Sequence, residues 1–255
     1  MKKLSFAVVA IAGLSCGTAF AAGECTTITA TGHPAYPVIA FKDGDRIAGA
    51  APELVSAIAK TLDVPLESKS MGSWEEAQQA ARDGTADLIF GIYYNGERAG
   101  YLDYVQPAFM YDDVAVFVAK GKAFPFKGKD DLIGKKGVTN EGESYGDDFD
   151  AFMRDKLEVT RTKGLKPAFE ALLAGDADYL IAGYHPGLAE ASKASLKDQI
   201  VPLDQALLTE EMFVAFSKKS PCRALAPEFG KGITTLTTDG SFDKMLTGAT
   251  TAWDK

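Results

Sequence analysis

Residues 86–98 read ADLIFGIYYNGER, and this stretch decides the fold. The apolar run 88–90 predicts a buried strand that ends at Gly91, and an Asn-Gly turn and Arg98 follow it. Sheets of α/β proteins bind ligands beyond the carboxyl ends of their strands, and a guanidinium fork suits a carboxylate. The stretch therefore predicts that Arg98 anchors a small carboxylate-bearing solute. A surface salt bridge is the alternative for an isolated arginine at this position.

The amino terminus is typical of a secretory signal peptide. Lys2 and Lys3 precede an apolar run over residues 4–14, and Ala19-Phe20-Ala21 follows as an A-x-A site. The run is too short for a permanent membrane anchor, so we expect cleavage after Ala21 and a periplasmic location. Lipidation of Cys16 is the weaker alternative, because residues 13–15 match lipidated sites poorly.

Charge and cysteine content narrow the classes of partner. Without residues 1–21 the chain has 25 basic and 35 acidic residues, a formal charge of −10, which argues against nucleic acid or an anionic membrane as a partner. Cys25 and Cys222 then form an even pair, which favours one disulfide in an oxidising compartment, with two buried thiols as the alternative. Two histidines are too few for a zinc site, and we see no metal or cofactor signature.

Helix and strand signals alternate along the rest of the chain. Pro52 is expected to open a helix, a capping box at Ser73 to start a second one that ends at Gly84, and Ser144 to cap a third. Pro186 is expected to open a further helix. Buried or half-buried strands are predicted at 26–31, 113–119, 137–139, 158–162, 178–182 and 212–216.

A short internal echo suggests two similar units. Gly-x-Ala-Asp occurs at residues 84–87 and again at 175–178, each time between a helix signal and a buried strand that ends in glycine. Repeated α/β units favour two lobes whose sheet ends face a shared cleft. A chance match of a short motif is the alternative.

Taken together, these motifs resemble the periplasmic solute-binding proteins of family 3, the polar amino acid receptors of ABC importers. The resemblance covers nearly all of the chain after residue 21. It rests on an ordered set of motifs: Gly49-x-x-Pro52-Glu53-Leu54, Trp74 followed by Gly84-x-Ala86-Asp87, Asn95-Gly96-Glu97-Arg98, residues 131–136 leading to Gly142-Glu143-Ser144, and Gly175-x-Ala177-Asp178.

The resemblance implies a type II two-lobe clamp with two hinge strands, at residues 113–119 and 211–216. The first lobe would comprise residues 22–117 plus 213–255, and the second lobe residues 118–212. Cys25 and Cys222 would then lie in the same lobe.

The resemblance also implies a set of ligand-binding residues. Arg98 would hold the ligand carboxylate, and a helix start at residues 142–144 would add backbone donors. Within the clamp, Trp74, Tyr93 and Tyr94 would provide an apolar or stacking surface, with core packing as the alternative for Trp74. Tyr36 would be a contact held by the stiff loop at residues 32–37, with loop packing as its alternative. The expected ligand residues are Arg98, Asn95, Tyr93, Gly91, Ser144, Glu143, Gly142, Gly183, Trp74 and Tyr36.

Three positions depart from the family pattern. Asn95 replaces the usual threonine, Glu143 replaces the usual serine or threonine, and Gly183 replaces the carboxylate that normally grips an α-ammonium. Losing that acid would leave a buried ammonium unpaired. Either another acid takes over, with Glu143 the best candidate, or the ligand lacks an α-ammonium. Glu143 near a helix start is equally well explained by the helix dipole.

The leading functional hypothesis is a monomeric, non-catalytic receptor that delivers an amino acid or organic acid to the permease of an ABC transporter. One alternative is a dehydratase of a cyclic carboxylate such as prephenate or arogenate on the same fold, with Glu143 as general acid. A second is a ligand-sensing partner of a membrane receptor. The sequence leaves the ligand and the transporter open.

Overall fold

The computed structural model describes residues 25–253, so the signal-peptide prediction lies outside the described residues. Strands and helices alternate, as the sequence predicts for an α/β protein. The strands are β1 (Ile28–Gly32), β2 (Ala35–Tyr36), β3 (Ala40–Asp43), β4 (Arg46–Ala48), β5 (Leu66–Ser68), β6 (Leu88–Tyr93), β7 (Leu102–Tyr104), β8 (Met110–Ala119), β9 (Lys136–Asn140), β10 (Glu158–Thr162), β11 (Tyr179–Gly183), β12 (Ile200–Pro202) and β13 (Leu208–Ser217). The α-helices are α1 (Ala50–Thr61), α2 (Trp74–Asp83), α3 (Gly96–Ala99), α4 (Asp147–Lys156), α5 (Leu165–Ala174), α6 (Tyr184–Lys193), α7 (Ala226–Thr238) and α8 (Ser241–Trp253).

One sheet of ten strands runs through the molecule, with its main path in the order β10-β9-β11-β8-β13-β6-β1-β5. Strands β5, β1 and β6 are parallel on one side, and β11, β9 and β10 are parallel on the other. At the centre β8 and β13 pair in antiparallel fashion. The strands and helices on either side of this pair form the two lobes of a clamp. The first lobe holds β1–β7, α1–α3, α7 and α8, and the second holds β9–β12 and α4–α6.

Both central strands are longer than the predicted hinge strands. Their amino-terminal parts alternate between exposed residues and residues that are buried or half-buried, and only the later parts are continuously buried. A continuous apolar run in the sequence therefore marks only the later part of each strand. The lobe boundaries at residues 117/118 and 212/213 fall within β8 and β13, and the division of the chain at these points stays a prediction.

The local helix signals at Ser73, Gly84 and Gly175 are confirmed. The Ser73 hydroxyl accepts a hydrogen bond from the Glu76 amide, and the Glu76 carboxylate accepts one from the Ser73 amide, which completes the capping box. Gly84 and Gly175 end their helices in the same left-handed conformation, each with φ of 81°.

The two Gly-x-Ala-Asp motifs play equivalent structural roles. Asp87 accepts a hydrogen bond from the Thr29 amide at the start of β1, and Asp178 accepts one from the Lys136 amide at the start of β9. Each aspartate thus ties its own strand to the parallel neighbour. The echo in the sequence therefore corresponds to a repeated helix–strand unit, one in each lobe.

Three predicted helix starts are wrong. Helix α1 begins at Ala50 and α6 at Tyr184, each two residues before the proline that was expected to open it. Proline is tolerated there because amides of the first turn have no acceptor within the helix. Helix α4 begins at Asp147, with Gly146 rather than Ser144 at the N-cap position.

Cys25 and Cys222 lie together in the first lobe. Their Cα atoms are 4.8 Å apart and their sulfurs are at bonding distance, 1.99 Å. The pairing joins the segment before β1 to the 3₁₀ turn Pro221–Leu225 that precedes α7.

Candidate ligand cleft

The walls of the cleft come from both lobes. The first wall consists of the loop between β1 and β2, the end of β6 with α3, and the start of α2. The second wall consists of the loop from Asn140 to Tyr145, together with Gly183 at the end of β11. Hydrogen bonds between the walls, described below, hold the two lobes against each other.

Arg98 crosses this cleft. Asn95 caps α3, because its Oδ1 accepts a hydrogen bond from the Arg98 amide at 2.7 Å. The Arg98 side chain points into the protein, and only 3% of the residue is exposed. Its Nε donates to Gln78 Oε1 at 3.0 Å, Nη1 to the Tyr93 carbonyl at 3.1 Å, and Nη2 to the Gly142 carbonyl at 3.0 Å. All three acceptors are neutral, and no carboxylate of residues 25–253 lies within ion-pair distance of the guanidinium.

The Gly142 loop lies directly against the first lobe. Gly142 has φ of 76°, and a Cβ on it would lie 3.1 Å from Gln78 Nε2 and 3.3 Å from the Trp74 ring. Gln78 Nε2 also donates to the Gly142 carbonyl at 3.1 Å. The left-handed backbone conformation favours glycine at this position, and a Cβ would also press against Gln78 and Trp74 of the opposite lobe.

Ser144 has a different role from the predicted one. It accepts a hydrogen bond from Asn95 Nδ2 across the cleft at 2.6 Å and donates to the Asp150 carboxylate. Asp150 also accepts from the Tyr145 amide. The expected helix start at residues 142–144 is thus absent from this part of the structure. Helix α4 carries three acidic residues in its first turn, which makes its start a poor anion site.

Glu143 is buried between the lobes and bonded to His33. The Glu143 Oε1 to His33 Nε2 distance is 3.2 Å, and Asn140 Nδ2 lies 3.4 Å from the same oxygen. Burial alone would raise the pKa of Glu143, but His33, Arg98 and Asn140 together bring this pKa below its usual value. Because α4 begins four residues later, the helix-dipole explanation for Glu143 is wrong.

A buried triangle of oxygens lies beside Gly183. Tyr36 Oη is 2.5 Å from Asp112 Oδ2, Tyr93 Oη is 2.6 Å from the same oxygen, and the two phenol oxygens are 2.5 Å apart. Burial raises the pKa of Asp112 and also raises those of both tyrosines. A Cβ placed on Gly183 would lie 2.1 Å from Tyr36 Oη, so the tyrosine fills the space that a side chain at residue 183 would need.

Two of the expected aromatic contacts, Trp74 and Tyr94, lie in different places, one at the cleft and one on the surface. Trp74 lies at the cleft, with its ring centroid 5.0 Å from that of His33 and 5.7 Å from the Arg98 Cζ. Tyr94 is largely exposed and packs on Tyr104, away from these groups.

Gly91 is not brought into the cleft. It has φ of 71°, and a Cβ there would face Ile39 and Met212. The pairing of β6 with β13 shifts register beside it, between Phe213 and Val214. Gly91 is therefore explained by a β-bulge rather than by a ligand contact.

An open cavity of about 600 Å³ adjoins Arg98, which is within the range for a small-molecule site. A smaller cavity of about 20 Å³ lies between Tyr36, Glu143 and Gly183. The cavity of about 600 Å³ is lined by residues of both lobes, among them Gln78, Asn95, Arg98, Glu143, Ser144 and Arg161.

The structure brings most of the predicted residues together and adds some that the sequence analysis missed. Nine of the ten lie at the cleft, and Gly91 does not. Asp112, Gln78 and Asn140 were missed. Of these, only Asp112 carried a signal, as an acidic residue adjoining the long apolar run of β8. Among residues 25–253 no group of three or more His, Cys, Asp or Glu side chains is placed to hold a metal ion.

Comparison with known proteins identifies relatives of the chain. The family model of bacterial extracellular solute-binding proteins, family 3, matches residues 28–248. A sequence search of curated proteins found no match. None of the helices within residues 25–253 is long and apolar enough to cross a membrane.

Solved structures share the fold. A histidine kinase sensor domain similar to periplasmic binding proteins has 24% identity and a TM-score of 0.74, covering 89% of this chain and 96% of its own. A mutant of ArgBP from T. maritima has 21% identity and a TM-score of 0.72, covering 89% and 96%. AbpA, an amino acid ABC transporter substrate-binding protein from Streptococcus pneumoniae bound to L-arginine, has 20% identity and a TM-score of 0.74, covering 90% and 97%.

Proposed function

This chain belongs to the bacterial extracellular solute-binding proteins of family 3, and from that premise we propose that it is a receptor for an ABC importer. It captures a small carboxylate-bearing solute, an amino acid or a related organic acid, and delivers it to a permease in the inner membrane. It works in the periplasm as a monomer, after removal of a signal peptide near Ala21, and carries out no chemical reaction.

The single observation that carries this proposal is the buried guanidinium of Arg98. Its three described partners are all neutral oxygens, and one of them, the Gly142 carbonyl, belongs to the opposite lobe. A carboxylate that enters between the lobes would exchange a neutral acceptor for a charged one, which strengthens the hydrogen bonds. Such a ligand contacts both lobes and favours the closed clamp.

The other proposed contacts surround this anchor. Asn95 holds α3 and reaches Ser144 in the second lobe, while Gly142 allows the two walls to approach closely. Trp74 covers one face of the guanidinium. The proposed binding set is therefore Arg98, Asn95, Tyr93, Trp74 and Tyr36 from the first lobe and Gly142, Glu143, Ser144 and Gly183 from the second.

A thermal-shift screen on protein stripped of co-purified solute tests the proposal. We expect one or more L-amino acids or organic acids to raise the melting temperature in a concentration-dependent way. Arg98→Met should abolish that shift. Arg82→Met is the matched control, because Arg82 borders the same cavity but is a solvent-exposed partner of Glu97. Equal shifts in the wild type and Arg98→Met would refute the role of Arg98.

Two further measurements test whether the protein lacks enzymatic activity and whether Cys25 and Cys222 are bonded. Incubation with prephenate and arogenate, followed by product detection, should show no turnover; product formation would favour the dehydratase alternative. Free-thiol titration of the denatured, unreduced protein purified from the periplasm should find no reactive Cys25 or Cys222 if the two are bonded.

A further inference from the structure

If Asp112 is ionised, the buried triangle of Tyr36, Tyr93 and Asp112 contains fewer protons than its three contacts require. Its three edges are 2.5, 2.5 and 2.6 Å, so each is a hydrogen-bond distance. Two phenols supply two protons, and an ionised carboxylate supplies none. With Asp112 charged, one edge brings two oxygens together without a proton between them. A positive group placed against the triangle would therefore stabilise the ionised carboxylate.

The charges around Asp112 point the same way. Among residues 25–253 no Lys, Arg or His nitrogen lies within ion-pair distance of its carboxylate. The hydrogen bonds from Tyr36 and Tyr93 favour the charged form, the exposed His185 is the one basic side chain of the described chain that adds to them, and Asp113 opposes them. Burial without a cation raises the pKa of Asp112. A cationic group of a ligand would supply the missing charge.

The other carboxylate at the cleft, that of Glu143, already has partners that stabilise its charged form. Glu143 is bonded to His33 at 3.2 Å and to Asn140, and its pKa is lowered rather than raised. Asp112 receives both of its described hydrogen bonds on Oδ2. Arg98 also favours the charged form of Glu143, whereas no arginine or lysine in the part of the chain that the structure describes does so for Asp112.

The position of the triangle makes it accessible to a ligand. Tyr36 belongs to the first lobe and Gly183 to the second, and the small cavity that they share adjoins the triangle. When the lobes part, Gly183 moves away from the Tyr36 hydroxyl. That hydroxyl, which donates to Asp112, is then the atom of the triangle that faces the space left by Gly183.

Tyr93 connects the two charged groups. Its carbonyl accepts a hydrogen bond from Arg98, and its phenol donates one to Asp112. Arg98 and Asp112 therefore contact the same tyrosine, Arg98 at the backbone carbonyl and Asp112 at the phenol.

We infer that Asp112, acting with the Tyr36 hydroxyl, binds a protonated amine of the ligand while Arg98 binds its carboxylate. The inference rests on the proposed function and narrows it, since it selects amine-bearing acids over simple organic acids. It also assigns the cation-binding role to the hinge strand β8, rather than to residue 183 or Glu143.

The first test compares matched compounds on the wild-type protein. The probes are the twenty common L-amino acids and, for each, the acid in which hydrogen replaces the α-ammonium. L-lysine, L-norleucine, 6-aminohexanoate and hexanoate form an added set that separates an α-amine from a terminal amine. We expect amine-bearing acids to bind 10- to 100-fold more tightly than their amine-free counterparts. Equal affinities would overturn the inference and leave the receptor proposal standing, whereas no binding by any compound would overturn both.

The second test uses Asp112→Asn, with Asp113→Asn as the matched control. Asp113 is adjacent, exposed and bonded to Thr209. Asp112→Asn should weaken the tightest-binding amino acid 10- to 100-fold and leave its amine-free counterpart unchanged, while Asp113→Asn changes neither. If Asp112→Asn weakened both compounds equally, the role of Asp112 would be structural. If it weakened neither, Asp112 would already be neutral. Either result overturns the inference.

Discussion

Substitution of Gly183 by alanine should prevent the clamp from closing fully. Gly183 has φ of −55° and ψ of 140°, a conformation that alanine adopts without strain. The added Cβ would lie 2.1 Å from Tyr36 Oη and 2.7 Å from its Cζ. Because ordinary contacts lie near about 3.5 Å, the two lobes must separate by about 1 Å or the tyrosine must leave the Asp112 carboxylate.

Overpacking of this size costs about 1–3 kcal/mol. If that cost falls on the closed form alone, ligand affinity falls about 5- to 150-fold. Isothermal titration with the best L-amino acid gives the affinity, and small-angle X-ray scattering shows whether the liganded protein stays more open. Gly248→Ala is the control, since a Cβ at residue 248 meets nothing within 4 Å. Adding Tyr36→Leu to Gly183→Ala should restore a compact scattering profile at saturating ligand, without restoring the affinity, since the Tyr36 hydroxyl is itself a proposed ligand contact. Unchanged affinity and scattering in Gly183→Ala would refute this account of closure.

Three other variants test the charge and capping arguments. Burial and two neighbouring carboxylates raise the pKa of Glu210 from 4.5 to about 7. Between these pH values the folded protein keeps a proton that the unfolded chain releases. The free energy of unfolding therefore falls as pH rises through this window. Allowing for partial exposure, Glu210→Gln should be about 1–2 kcal/mol more stable than wild type at pH 8 and equal to it near pH 4. Urea melts that show the same difference at both pH values would contradict this. Asp147→Ala removes the carboxylate that accepts from the Gly96 amide of the opposite lobe, and should cost about 1 kcal/mol in urea melts; an equal loss in Asp148→Ala would deny it a specific role. Ser73→Ala should destabilise the protein by about 1 kcal/mol through loss of the α2 cap, and an unchanged melting temperature would argue against that cap.

Much of the fold was predictable because its signals are local. The capping box at Ser73 and the left-handed glycines at Gly84 and Gly175 depend only on neighbours within a few residues, and all three were predicted correctly. Helix starts near proline were two residues off. Proline is accepted anywhere in a first turn, so its position in the sequence marks that turn without marking its first residue.

The site was predicted less completely than the fold. The strand-to-Arg98 stretch and the Gly142–Ser144 loop were both found, because short motifs carry them. The role of Ser144 was not, since its partners Asn95 and Asp150 are decided by the packing of one lobe on the other. Gly91 was assigned to the ligand from the family resemblance, but a glycine within a strand also marks a bulge, and the pairing of β6 with β13 decides for the bulge.

The sequence by itself determined the alternation of strands and helices, the repeated Gly-x-Ala-Asp units and the presence of a guanidinium after β6. Periodicity, capping and turn chemistry act over a few residues, so they can be read along the chain. Only the tertiary structure decided that Arg98 donates to the Gly142 carbonyl and that Glu143 contacts His33. It also decided that Asp112 accepts hydrogen bonds from two tyrosines. Those contacts join residues far apart in the chain, and the burial that sets their charges exists only once the two lobes come together.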